Sequence, residues 1–254
     1  MKLFRKTRND LMDKNKTAKY LRYAIGEIFL VVIGILIALQ INNINETRKI
    51  RTKEVVYLKN IKTDLNLTII QLEDFIARRK TQIKTANRVI EYYKGRPVEN
   101  WNSFNKDIVS IYSWERIFQV DNTFQELMNS GNLAIIANES IKNGLLNLDV
   151  YYKKLKYNED HFRYDSEVTL YEPSFGMLDI NSMANNYAYQ LSGGKMGDPE
   201  DMKKEDFEEM LKDQKQKNGF AFAVFEFSKM AVSFETIKKE SEKIIALINE
   251  DLVK

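Results

Sequence analysis

Residues 24–41 read AIGEIFLVVIGILIALQI, eighteen positions in which Glu27 and Gln40 are the only polar side chains. At 1.5 Å of rise per residue, a helix of that length covers roughly 27 Å, close to the hydrocarbon thickness of a bilayer. No other stretch of the 254-residue chain approaches it. A cleaved signal peptide is the competing reading, but its apolar region is usually roughly 7–15 residues and ends in small residues. Here the run is longer and continues into Gln40, Ile41, Asn42, Asn43 and Ile44. The stretch predicts an uncleaved transmembrane helix over residues 24–44.

The flanks predict orientation. Residues 1–23 carry Lys2, Arg5, Lys6, Arg8, Lys14, Lys16, Lys19 and Arg22 against Asp10 and Asp13. Positive segments stay cytoplasmic, so this basic tail is expected inside and residues 45–254 outside. A second basic cluster, Arg48, Lys49, Arg51 and Lys53, opposes that order but is partly offset by Glu46 and Glu54. The whole chain has 39 basic and 36 acidic residues, net +3. The tail contributes +6 of that, leaving −3 for everything after residue 23. The basic character thus belongs to a short tail placed to meet anionic lipid, and no basic patch suited to nucleic acid is apparent. The chain has no cysteine, so no disulfide framework is available to the outer part. With some two hundred residues beyond the span, it is long enough to bury a core without one. The expectation is a protein of the bacterial inner membrane with its C-terminal domain in the periplasm.

Proline occurs only at Pro97, Pro173 and Pro199, and glycine is sparse. That favours long helices over sheets. The first is a stalk expected over residues 45–94, ending at Gly95-Arg96-Pro97, with no strong breaker between it and the span. Its apolar rows, Leu58, Leu65 and Leu72, then Ile61 and Phe75, then Ile69, Ile76, Ile83 and Ile90, are too broad for a narrow coiled-coil seam. Arg79 and Gln82 interrupt the first two. Residues 98–137 form an irregular aromatic segment in which Trp101, Phe104, Trp114 and Phe118 supply local core. Helices are expected over residues 139–170, with Asn138 as N-cap, then over 200–217 and 220–252. Pro173 should close the first of these, residues 173–199 should be a long loop, and Asn218-Gly219 should break the last two apart. The fold class is mainly α: one N-terminal transmembrane helix, then an extracytoplasmic helical bundle with a long stalk helix.

Residues 23–46, YAIGEIFLVVIGILIALQINNINE, resemble a family of small, uncharacterised bacterial envelope proteins. Its N-terminus typically reads FR-x-IR, a basic stretch, KYL-x-YAIGEI, then VVIGILIALQINNWNE. This chain has Phe4-Arg5-Lys6-Thr7-Arg8 and Lys19-Tyr20-Leu21-Arg22-Tyr23, and departs at Ile44, where the family usually has Trp. Thr123-Phe124-Gln125-Glu126-Leu127 and Ser130-Gly131-Asn132-Leu133 look like the family's T-[YF]-x-E-L…SGNL segment, and Tyr151-Tyr152 fits its next helix. The resemblance implies a single-span, mostly helical membrane protein and supplies no catalytic residues.

Within the span, Glu27, Gly34 and Ala38 fall within roughly 40° of one another on a helical wheel. Small residues let helices approach, and an ionisable group in a span usually faces a partner or cavity. This face is the candidate contact surface; the plainer reading has Glu27 reaching headgroups or Arg22. Arg22, Tyr23, Gln40, Asn42 and Asn43 are candidate interfacial residues. His161 is the only histidine, and Asp160 and Asp165 beside it read as solvated surface. No zinc site, catalytic triad or other metal or cofactor site is expected. Gly193-Gly194-Lys195 lacks P-loop spacing and reads as a turn. Trp101, Trp114, Phe220, Phe222, Phe225 and Phe227 either fill a helical core or line a groove for an apolar ligand. The expectation is a membrane-anchored, non-enzymatic interaction or scaffold protein, whose partners are the bilayer and a second copy or another envelope membrane protein. The alternative is a helical-bundle sensor that binds a small ligand and signals through a partner.

Overall fold

A computed structural model describes residues 17–253, and all its regular structure is helical. The basic residues Lys2, Arg5, Lys6, Arg8, Lys14 and Lys16, with the Phe4–Arg8 motif, lie outside the described residues. Helix α1, Thr17–Tyr93, takes in both the expected span and the expected 45–94 stalk without interruption. It contributes to two compact units, 1–56 and 57–254. In the first, an 18-residue window of mean hydropathy 2.5 is entirely unburied, making this helix long and apolar enough to cross a membrane.

The second unit is a helical bundle. Its part of α1 ends at Tyr93, just before Gly95, whose φ of +99° suits a residue without a side chain. There follow α2, Trp101–Tyr112, and α3, Asn122–Asn129. A 3₁₀ turn at Asn132–Ile135 leads to α4, Glu139–Ser166, whose N-cap Asn138 accepts from the Ser140 and Ile141 amides as expected. Helices α5, Glu172–Met177, α6, Ile180–Ser192, and α7, Gln214–Leu252, complete the chain. Leu58, Ile61, Leu65 and Leu72 of α1 are buried with Phe162 of α4 and with Phe220, Phe227 and Phe234 of α7. Edge-on ring contacts join Phe75 to Phe234 (5.8 Å) and Phe162 to Phe227 (4.9 Å). Helices α4 and α7 lie so close that a Cβ on Gly144 would sit 2.8 Å from Ile244 Cγ1.

Four expectations are corrected. Pro173 does not end its helix: a π-helical turn, Glu167–Tyr171, precedes it, and Pro173 falls in the first turn of α5, where its missing N–H costs nothing. Most of the expected 173–199 loop is instead two helices, and residues 193–199 are irregular. The second is capped by Asp179, which accepts from the Asn181 and Ser182 amides, and buries Met183 and Asn186. Residues 200–217 do not form a helix. Two 3₁₀ turns, Glu205–Phe207 and Met210–Lys212, place Phe207 and Met210 in the core, three apart as that helix's repeat requires. Asn218-Gly219 breaks nothing: α7 starts at Gln214 under an Asp213 cap and runs through both residues. Gly219 is present for contact, because a Cβ there would lie 2.5 Å from Leu170 Cδ2.

Candidate functional site

In the first unit, Glu27 and Gly34 are exposed, as are Ala38, Arg22, Tyr23, Gln40, Asn42 and Asn43. A Cβ on Gly34 would meet nothing within 4 Å. Glu27 borders a shallow groove with Ala24, Ile28, Val31 and Val32. Among the described residues the expected contact face is thus exposed within this unit.

In the second unit, the notable chemistry is at residues the sequence reading passed over. Arg79, taken as an interruption of the apolar rows, is 1% exposed. Its guanidinium lies 4.8 Å from the Phe227 ring centroid, 5.7 Å from Trp114 and 5.9 Å from Phe75, an aromatic cage that favours a cation. It donates to Gln82 Oε1 at 2.6 Å and to the Glu115 carbonyl, and its Nε makes no hydrogen bond. Burial pulls its pKa down to about 10, with the charge of Glu159 opposing that shift. It remains a cation at neutral pH.

Glu159, on α4, is the buried counter-charge, 3% exposed. It accepts one hydrogen bond, a long one of 3.3 Å from the Ile117 amide. Burial pushes its pKa up to about 7, although the Ile117 amide, Arg79 and Arg116 all favour the carboxylate; Asp160 pushes the same way as burial. A buried carboxyl group with so few donors behaves in this way.

Residues 114–121 have no helical structure and cross α1 and α4 as a strap. Side chains tie it down: Arg79 holds the Glu115 carbonyl, Thr68 donates to the Val120 carbonyl (3.3 Å), and Arg116 pairs with Asp160 (2.7 Å). Between the strap and α4 lies a cleft of about 240 Å³. Its walls include Arg116, Ile117 and Phe118 of the strap, and Asp149, Lys153, Leu155, Lys156 and Glu159 of α4. Phe118, expected in the core, is instead 80% exposed at this cleft. Its neighbour Ile117 takes the inward place, 9% exposed.

The remaining expected residues are placed plainly. His161 is exposed, with Nδ1 3.1 Å from Asp165 Oδ2. Among the described residues no group of histidine and acidic side chains could hold a metal ion. Gly193, Gly194 and Gly197 all have positive φ, as turn glycines do. Trp101, Trp114, Phe220 and Phe227 pack in or against the core, whereas Phe222 and Phe225 are exposed. Little in the sequence marks Glu159; Arg79 could have been found, since a basic residue in an apolar helical row needs a partner.

No curated protein and no solved structure matches the chain. The sequence model of DUF6090, a family of unknown function, matches residues 27–189, more than half the chain and most of both sites. The chain belongs to that family.

Proposed function

We propose that this protein is a membrane-anchored, non-enzymatic interaction or scaffold subunit of the bacterial envelope. In this reading it sits in the inner membrane, N-terminus inside, with its helical bundle in the periplasm. One observation carries it: the apolar first part of α1 is unburied, and among the described residues its Glu27, Gly34 and Ala38 are all exposed. A carboxylate beside small residues is what a contact between spans uses. Replacing Gly34 with Leu should lower the oligomer or complex size of the detergent-extracted protein. Unchanged association would sink the reading.

A second reading, ligand sensing by the bundle, is favoured by the cleft beside Glu159. In that reading the ligand would bind in the bundle and the signal would pass to a partner.

A further inference from the structure

We propose that the cleft between the strap and α4 binds a small zwitterion of the α-amino-acid type. Its ammonium would rest on Glu159, its carboxylate on Lys156, and its apolar side chain against Ile117, Phe118 and Leu155. The proposal names the ligand class for the sensing reading and deepens it.

The wall chemistry selects the class. At the base, the Glu159 carboxyl group is almost wholly buried with a single long hydrogen bond, so it retains capacity for a donor. At the rim, Lys156 makes no ion pair among the described residues, whereas Lys153 is paired with Asp149 (2.6 Å) and Arg116 with Asp160 (2.7 Å). A simple anion would meet Glu159, and a simple cation would meet Lys156 and Arg116. A molecule with both charges complements both ends. The cleft, about 240 Å³, lies below the roughly 300–1,000 Å³ typical of drug-sized ligands, which suits one small molecule rather than a peptide. Phe118 stands exposed on a strap held by side chains on both sides of it, as a preformed apolar wall would be.

Arg79 from α1, Arg116 from the strap and Asp160 from α4 act on Glu159, and Lys153 and Lys156 of α4 line the same cleft. Since burial holds the Glu159 proton to about 7, an ammonium ligand would displace it, and affinity should rise with pH through that value.

The test uses the full chain in lipid nanodiscs and isothermal titration at pH 8. The probes are L-leucine, 3-methylbutylamine (leucine without its carboxylate) and 4-methylpentanoate (leucine without its amine). Leucine should bind at least tenfold more tightly than either analogue, and several-fold more tightly at pH 8 than at pH 6. Glu159→Gln should weaken leucine binding at least tenfold. Lys156→Gln and Phe118→Ala, both at exposed positions, should also weaken it and carry the test if the Glu159 variant does not fold. Leucine binding no tighter than the analogues, absent at millimolar concentration, or unchanged in these variants would overturn the proposal. Binding that leaves span cross-linking unaltered would support the site while ending the sensing reading.

Discussion

Arg79 and Glu159 are charges buried without direct pairing, so each depends on the other and on the groups around them. Removing one partner of a buried charge arrangement typically costs about 3–5 kcal/mol, because the survivor is left uncompensated. Arg79→Met keeps the bulk among Phe75, Trp114 and Phe227 but strands Glu159. It should destabilise the bundle by about 3 kcal/mol in urea denaturation. Arg79→Met with Glu159→Gln should cost clearly less than the two single changes added together; simple additivity would show that the charges are not coupled. The pH dependence has a definite sign. Folded Glu159 keeps its proton to about 7, whereas an ordinary glutamate releases it near 4.5. Between those values the folded state binds more protons than the unfolded one, so stability falls as pH rises and levels off above the window. A shift of that size corresponds to roughly 3 kcal/mol. Glu159→Gln should therefore lose less stability than the native protein between pH 4.5 and 7.5, and parallel curves would contradict the raised pKa.

At the level of elements, the long helices were legible because their signals are local. Apolar rows, the Asn138 cap and the Gly95 stop each act within a turn or two of chain. What the sequence concealed depends on contacts distant along the chain. Pro173 is accommodated by a π turn and then buttressed by a buried network: Tyr112 Oη lies 2.8 Å from Ser174 Oγ and donates to Gln216 Oε1 at 2.7 Å. Residues 203–212 follow Phe207 and Met210 into the core rather than their charged composition. Gly219 reads as a breaker yet serves as a contact. Gly219→Ala gains up to about 1 kcal/mol of helix propensity but forces a methyl group onto Leu170 and Thr169. A net loss of about 1–2 kcal/mol is expected in chemical denaturation; a gain would mean that Leu170 moves aside at little cost. The candidate cleft was hidden for a related reason. It joins residues some forty positions apart, and neither the strap nor α4 carries a motif by itself.

On the scale of the whole molecule, charge and hydropathy divide the chain. The tail before the span carries +6 and the remainder −3. Because the chain lacks cysteine, single cysteines report position without background. Asn147→Cys, on exposed α4 surface, should react with a membrane-impermeant maleimide added from the periplasmic side, and Asn9→Cys should not. The reverse pattern would invert the topology.

The most direct test of the central claim, that the span is a contact surface as well as an anchor, is cysteine cross-linking in native membranes. Gly34→Cys lies on the Glu27 face, and Leu36→Cys lies on the opposite side of the same helix. Strong adducts at position 34 with weak ones at 36 are predicted. Equal yields at both positions, or none at either, would contradict the account and leave the span as a tether.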